Sequence, residues 1–495
     1  MDYGARFRQL DSIVKPLATS PDAQRFPFSV HGRQQAADAW FFAHDQVLLD
    51  PKHSRHHDVC KLSLAPSDFT RMQILGEGQF ATVHVARCHI NNQLYAMKAI
   101  SKHKAMRYSQ ALQLPAERHL HILAGMQSKS PAPAMFAAFQ TTSTLYLVIE
   151  LAPSGSLADR VEAAGAVSEP EVQYWTAQLV EAIAWIHGSG FVHRDIKPAN
   201  ILIAESNRLL LTDFGSAAPL TPGHILLAPN YCQEPVGTPD YIAPEILRCA
   251  EAVLVRGQEA LEELPCYGQA VDWWSMGVTV FELAAGQPPF YSDSIRATYD
   301  AILGISPLIR AHKSNSLIDF LHGLICEPTE RRAVETLRRH DFLVSRGRDS
   351  PDLQPITGFE QTGDSFGLDS TFDIGSESSF TTVGLDTSRM SSRWYGWTYL
   401  PSTIPEIRPA PLRDGQPLFS PNLPKTPRRS PLGNAHSIRL ESRREGMLAC
   451  IQHSARKQRR RLEALPRSFE EDLQALQRGL QDLSGRLRVM QRTFE

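Results

Sequence analysis

Eight consecutive residues, His193-Arg194-Asp195-Ile196-Lys197-Pro198-Ala199-Asn200, followed by Asp213-Phe214-Gly215, constrain this chain more than any other stretch. They supply an Asp to orient a hydroxyl, a Lys two residues on to neutralise a transferring phosphoryl group, and an Asn and a second Asp to hold a metal from opposite sides. These are the parts that phosphoryl transfer needs. A lone Asp in a loop is ordinarily a solvated carboxylate, but four chemically matched positions in order are not a chance arrangement.

At 495 residues the chain exceeds one typical core, so two or more units are expected, one of them large. A formal net charge of -2 gives no global pull toward nucleic acid or a membrane surface. Cys60, Cys88, Cys232, Cys249, Cys266, Cys326 and Cys450 form no C-x-x-C pair, which predicts reduced thiols in an intracellular protein. Met1 to Leu10 lacks the apolar run of a signal peptide, and no stretch reaches membrane-spanning length, so a soluble protein is expected.

Over residues 1–67, Phe7, Leu10, Ile13, Val14 and Leu17 recur at helical spacing, and Ala36 to Leu49 predicts a second helix. The expectation is a helical cap packed on the neighbouring domain or on a second copy of the chain. Strand signals begin at Phe69 and lead into Gly76-Glu77-Gly78-Gln79-Phe80-Ala81-Thr82-Val83, where glycines in a tight turn let backbone N–H groups approach phosphates. The usual third glycine is Ala81. Tyr95 to Ile100 sets one cation, Lys98, in an apolar strand, and such a charge needs an anionic partner. Glu117, on a helix expected over Leu114 to Leu123 with Pro115 in its first turn, is the candidate. Ser168-x-x-Glu171 reads as a capping box opening a helix whose stripe Val172, Trp175, Leu179, Ile183 and Ile186 is core.

Together these motifs resemble the protein kinases, over about residues 68–343. The resemblance implies an α+β, bilobal fold with a β-rich small lobe and a helical large lobe, and ATP and Mg²⁺ as cofactors. Leu75, Gly76, Gly78, Phe80, Ala81, Val83, Ala96, Lys98, Ile149, Glu150, Ala152 and Asn200 would surround ATP, with Ile149 as gatekeeper and the hinge backbone of Glu150 and Ala152 facing adenine. The catalytic set would be Asp195, Lys197, Lys98 and Glu117, and the metal ligands Asn200 and Asp213. Lys197 two positions after Asp195 resembles the serine/threonine enzymes.

Val236 to Leu247, Asp272-Trp273-Trp274-Ser275 and Pro289-Phe290-Tyr291 narrow the resemblance to the AGC group, and within it to the branch of myotonic dystrophy kinase, Rho-associated kinases and citron kinase. Where that group carries an activating phosphosite, three residues before Gly237, this chain has Glu234. A permanent carboxylate facing Arg194 is therefore expected, with one charge where a phosphate brings about two. Thr238 should bridge Asp195 and Lys197, Asp272 should cap the catalytic-loop backbone, and Glu245 should pair with Arg331. Ser156 and Ala199 replace acids that read basic residues upstream of the phosphosite. The segment from Glu251 to Pro265 is an insertion without a reading.

Residues 344–402 would form an AGC-type C-terminal tail ending in a hydrophobic motif at Trp394-Tyr395-Gly396-Trp397-Thr398-Tyr399. Residues 403–435, with eight prolines, read as linker. Residues 436–495 predict a basic helix and a short coiled coil, its seam Phe469, Leu473, Leu476, Leu480, Leu483, Leu487 and Met490 interrupted by Gly479 and Gly485. The basic run at 456–461 is expected to be a solvated helix face. Protein substrates, a homodimer formed through the coil and N-terminal extension, a small-GTPase regulator and a cytoplasmic, cytoskeleton-associated location are the expectations that follow, with no nucleic-acid partner. The other class of function is a kinase-fold scaffold acting through its coil and linker.

Overall fold

The computed structural model describes residues 3–18, 32–78, 80–107, 113–127, 129–221, 223–256, 265–292, 294–305, 313–344, 394–395 and 397–400. The linker, the basic helix and the coiled coil read from the sequence lie outside them, as does most of the tail.

Three helices come first, α1 (Tyr3–Val14), α2 (Gly32–Leu49) and α3 (His56–Leu62), followed by β1 (Phe69–Glu77), β2 (Ala81–Cys88) and β3 (Leu94–Ser101). After α4 (Lys102–Arg107) and α5 (Leu114–Gly125), β4 (Met135–Gln140) and β5 (Thr144–Ile149) complete an antiparallel sheet in the order β1-β2-β3-β5-β4. Period-two alternation separates the two faces of β3. Tyr95 and Met97 enter a cluster on the outer face, where Tyr95 stacks on Phe136 at 4.4 Å and Phe139 on Tyr146 at 4.8 Å. Ala96 and Ile100 enter the inner cluster with Leu114 and Ile122 of α5, and Lys98, on that same face, lies between Val83 of β2 and Leu147 of β5 in register.

The N-terminal helices belong to this lobe. Leu10 and Val14 of α1, Trp40, Phe41 and Val47 of α2 and Val59 of α3 share one core with Phe69, Tyr95 and Phe136 of the sheet. Arg6 locks α1 down by donating to Leu62 O at 2.6 Å and to Asp68 Oδ1 at 2.8 Å. Helix α3 was not legible in the sequence, because its seven residues include one buried side chain, Val59. His44 Nε2 meets Ser63 Oγ at 2.6 Å, and Ser63 donates to Val59 O, so the hydroxyl oxygen accepts from the imidazole and ties α2 to the end of α3.

Residues 394, 395 and 397–400 dock on the small lobe. Ala138 and Tyr399 exchange backbone hydrogen bonds of 2.9 and 2.8 Å, an antiparallel bridge on the β4 edge. Arg118 of α5 donates to Trp397 O at 2.6 Å and Thr398 O at 3.0 Å. Asp45 of α2, fully buried, accepts the Thr398 amide at 2.9 Å and its hydroxyl as well. Gln140 donates to Trp394 O at 2.9 Å while accepting from Lys102 Nζ at 2.7 Å. Burial pushes the Lys102 ammonium down to about 8 against the raising field of Asp45.

The large lobe holds α6 (Leu157–Ala164), α7 (Glu169–Gly188), the short strands β6 (Phe191–Val192), β7 (Ile201–Ile203), β8 (Leu209–Leu211) and β9 (Ala218–Pro219), then α8 (Pro244–Arg256), α9 (Ala270–Ala285), α10 (Ile295–Gly304), α11 (Asn315–His322), α12 (Val334–Arg338) and α13 (Asp341–Val344). Helix α9 is buried along most of its length and α7 along the stripe from Val172 to Ile186, and the two form the lobe's spine. The Ser168 box is corrected in one respect. Its hydroxyl donates to Glu171 Oε2 at 2.9 Å and makes no cap bond to the backbone. The reciprocal box sits instead at α6, where Ser156 N donates to Asp159 Oδ2 at 2.7 Å and Asp159 N to Ser156 Oγ at 3.2 Å. No described helix is long and apolar enough to cross a membrane.

An Asp45→Ala substitution strips two buried donors on Thr398 of their acceptor. It is expected to destabilise the small lobe by about 1–3 kcal/mol, read as a lowered midpoint of thermal unfolding beside wild type. An unchanged midpoint would mean that the docked strand contributes nothing to stability.

Candidate active site

The catalytic loop hangs on one carboxylate. Asp272, in the first turn of α9 and fully buried, accepts His193 N and Arg194 N at 2.8 Å each and meets His187 Nε2 at 2.8 Å. Burial alone would raise its pKa, but the bonds from His187 and the Arg194 amide outweigh that and hold it below the ordinary value. Arg194 is left-handed, φ 68°, a conformation that L residues adopt rarely, and both amides of the turn reach Asp272.

Past that turn, Asp195, Lys197 and Thr238 close a triangle. Lys197 Nζ donates to Asp195 Oδ2 at 2.8 Å and to Thr238 Oγ1 at 2.6 Å, and Thr238 donates to Asp195 Oδ1 at 2.7 Å. Gly237 makes the approach possible. A Cβ there would stand 2.7 Å from Arg194 O, and its φ of 115° is closed to most side chains. Asn200 Nδ2 donates to Asp195 O at 2.9 Å and Oδ2 at 3.2 Å, so its carbonyl oxygen is not used by these bonds.

Lys98 of β3 and Glu117 of α5 form the expected ion pair, and Asp213 Oδ1 lies 3.5 Å from the same ammonium. Burial works to lower the Lys98 pKa, but Glu117 and Asp213 raise it further, so the amine is held charged. Burial likewise works to raise Asp213, and Lys98, Lys197 and His193 overcome it, leaving a carboxylate below its ordinary range. Asp213 is itself left-handed, φ 61°, while the next residue, Phe214, is fully buried against His121 at 5.1 Å and His193 at 5.5 Å. The aromatic anchor turns the carboxylate toward Lys98.

Around the expected nucleotide pocket, Gly78 N donates to Ala81 O at 2.7 Å, closing the turn between β1 and β2; Gln79 lies outside the described residues. The Ala81 methyl is absorbed by the inner cluster with Ala96, Ile100, Leu147 and Ile149, and Phe80 and Val83 pack against its edge. Leu75 and Gly76 are exposed at the end of β1. At the hinge Glu150 N is already bonded to Ala134 O at 2.9 Å, so of its backbone groups the carbonyl remains for a ligand. Its side chain is clamped by Arg208, a pairing that sequence reasoning missed because the two stand 58 residues apart. Ala152 follows, buried, against Leu210.

Asp213 and Asn200 offer hard oxygen donors. Among the described residues no cluster of three His, Cys, Asp or Glu holds a metal by itself. A donor pair of one carboxylate and one amide oxygen fits Mg²⁺, which takes one or two carboxylates and completes its shell with phosphates and water.

The expected Arg194–Glu234 anchor is corrected. Arg194 is buried and its guanidinium donates to neutral oxygens: Ser216 O at 2.7 Å, Tyr231 O at 2.8 Å and Tyr267 Oη at 3.2 Å, while Glu234 stands exposed. The reason is Tyr267-Gly268, with which the activation segment, the stretch between Asp213 and Ala243-Pro244-Glu245, pairs as a short β-bridge. Leu227 N donates to Tyr267 O at 2.9 Å and Gln269 N to Ile225 O at 3.2 Å. Tyr267 Oη also donates to Tyr231 O at 3.1 Å. Farther along, Arg331 pairs with Glu245 on both oxygens, with Nη2 at 2.8 Å from Oε2, and stacks over Trp274 at 5.2 Å. Tyr241 donates to Glu282, a further pair that the sequence did not announce.

Residues 69–343 match the family model described as "Protein kinase domain", more than half of the chain. The chain belongs to the protein kinase family. It is 32% identical over 293 residues to Rho-associated protein kinase let-502 of Caenorhabditis briggsae, covering 58% of this chain and 23% of that one. It is 35% identical over 295 residues to Citron Rho-interacting kinase of Mus musculus, covering 58% and 13%. To human Rho-associated protein kinase 1 it is 32% identical over 307 residues, covering 60% and 21%. These relatives are AGC-group kinases, and the match spans less than a quarter of the length of each.

A Cβ at Gly268 would stand 1.8 Å from Ile225 O. Gly268→Ala is therefore expected to release the activation segment from its bridge, increasing the rate of limited proteolysis between residues 221 and 235 while far-ultraviolet circular dichroism stays unchanged. Unaltered proteolysis would sink the bridge as the segment's anchor.

Burial pushes Glu282 up from 4.5 to about 7, against the lowering bond from Tyr241. Between those values the folded chain binds more protons than the unfolded one, so this group makes stability fall as pH rises from about 4.5 to about 7, with no further loss above. Glu282→Gln removes that slope. Urea midpoints at about pH 5 and pH 7.5 are expected to lie closer together in the variant than in wild type.

Proposed function

We propose that the chain transfers the γ-phosphate of Mg·ATP to Ser or Thr hydroxyls of protein substrates. The observation that carries this reading is the triangle of Asp195, Lys197 and Thr238 facing the Lys98–Glu117–Asp213 cluster: one side orients and deprotonates an acceptor, the other gathers charge for phosphates. Asp195 takes the acceptor's proton as its oxygen bonds to the γ-phosphorus, the bond from that phosphorus to the β,γ-bridging oxygen breaks so that ADP leaves, and Lys197 offsets charge on the transferring group. Lys98, fixed by Glu117, holds the α- and β-phosphates. Asp213 and Asn200 would hold Mg²⁺, which would offset charge on the phosphate oxygens. Thr238 keeps Asp195 aimed, and the pocket from Leu75 to Ala152 encloses adenine.

The neutral partners of Arg194 support an activation segment that assembles without a phosphate. For substrate choice, Ser156 is occupied as the cap of α6 and Ala199 carries no charge, which supports a weak preference for basic residues upstream of the phosphosite. A Rho-type small GTPase as regulator is proposed from the names of the three relatives, each of which contains Rho, and a cytoskeletal, polarity or cell-division role with a cytoplasmic location is proposed from the resemblance to that kinase branch. A homodimer is proposed on the heptads from Phe469 to Met490, since α1 to α3 are already engaged on the chain's own sheet. The scaffold reading is not favoured, because every catalytic group is in place.

The test is Mg·ATP-dependent phosphorylation of a Ser/Thr peptide library by phosphatase-treated protein. Wild type is expected to be active, and Asp195→Asn to lose about 10²–10⁴-fold in kcat. Equal rates in the two proteins would overturn the assignment. ATP binding without turnover in wild type would return the scaffold to favour.

A further inference from the structure

Three cysteines gather where the activation segment meets the start of α9. Cys232 is buried one residue past the Tyr231 carbonyl that Arg194 holds. Its Sγ points at Tyr267 O, 3.9 Å away, in the residue that directly follows Cys266. Cys266 is partly exposed, and Cys249 of α8 is buried nearby. Cys232 and Cys266 thus lie on the two backbones already joined at Leu227 and Tyr267, one belonging to the activation segment and the other to the loop it rests on.

We propose that Cys232 and Cys266 are a redox modification site, forming a reversible disulfide that staples the activation segment to the Cys266–Gly268 loop when a hydroperoxide reaches Cys266. The balance is closed. The Cys266 thiolate attacks the peroxide oxygen, the O–O bond breaks, and Cys266 becomes a sulfenic acid as water or an alcohol leaves. The Cys232 sulfur then displaces hydroxide from that sulfenic acid, the S–S bond forms, and the Cys232 proton departs with the hydroxide as a second water. Two thiols are oxidised and one peroxide is reduced.

Access assigns the order of events. Cys266 is the member an oxidant can meet, while burial pushes the Cys232 and Cys249 thiols up to about 12 and keeps both protonated and slow to react by themselves. Cys232 lies against the carbonyl of Tyr267, the residue after Cys266, so it resolves the sulfenic acid ahead of Cys249. The bond would join two segments that already meet at Tyr267, so it fixes the segment in place without rearranging the Asp195–Lys197–Thr238 triangle.

Trypsin separates the three cysteines into peptides 209–248, 249–256 and 257–296, which makes the test direct. Full-length protein is exposed to hydrogen peroxide, free thiols are alkylated, and the digest is analysed by mass spectrometry without reductant. The expected product is peptide 209–248 linked to 257–296, reversed by dithiothreitol, absent in Cys266→Ser and retained in Cys249→Ser. The oxidised wild type should also resist proteolysis within residues 221–235 more than its reduced form. Cys266 recovered as sulfinic acid with Cys232 still free, a link from 209–248 to 249–256, or a link that leaves proteolysis unchanged would each overturn the proposal. None of these readouts depends on kinase activity, so they stand apart from the phosphotransfer assay.

Discussion

A single carboxylate with no access to water, Asp272, sets the geometry from which the site is built. A buried charge is tolerated only when hydrogen bonds replace its lost hydration. Asp272 obtains them from His187 and from two consecutive amides, His193 N and Arg194 N. Presenting both amides to one carboxylate goes with a left-handed Arg194, and that turn presents the Arg194 carbonyl to Gly237 and swings Asp195 toward Thr238. The catalytic triangle is therefore downstream of a helix-terminal acid that touches no reacting atom.

The small lobe solves a matching problem from the opposite direction. Lys98 needs anions, and the anion on α5 is only as well placed as α5 itself. That helix is held at Arg118 by the carbonyls of Trp397 and Thr398, which are in turn held by Asp45 of α2. The N-terminal extension, the distant strand at 397–400 and the helix bearing Glu117 are one mechanical unit, although 353 residues separate Asp45 from Thr398.

What was legible in the sequence is what physical chemistry writes locally. The β3 strand with its lone Lys, the stripe on α7 and the spacing of Asp195, Lys197, Asn200 and Asp213 rest on residue types with few alternative uses, whereas the Glu245–Arg331 pair and the Asp272 cap followed from the resemblance alone. Contacts made by backbone carbonyls were not legible, because any residue supplies one. Arg194 was assigned to the nearest plausible carboxylate, Glu234, when its partners are Ser216 O, Tyr231 O and a tyrosine hydroxyl. Ser156, read as a vacancy left by an acid, has a positive role as a helix cap that an isolated Ser does not advertise. The bridges of Leu226 with Gly268 and of Ala138 with Tyr399 carry no periodicity, since each is only a residue or two long.

The Ala138–Tyr399 bridge has a meaning beyond the placement of α5. In the order β1-β2-β3-β5-β4, β4 is a terminal strand, with an apolar sequence of Met135, Phe136, Ala137, Ala138 and Phe139. Unpaired amides and carbonyls on such an edge form a template onto which any extended chain can add, another copy included. With Tyr399 bridged to Ala138 at the middle of the strand and the Trp394 and Trp397 side chains buried, that part of the border is covered. The docked segment thus also acts as a solubility device, and whatever lifts it off uncovers an adhesive edge at the same moment that it loosens α5.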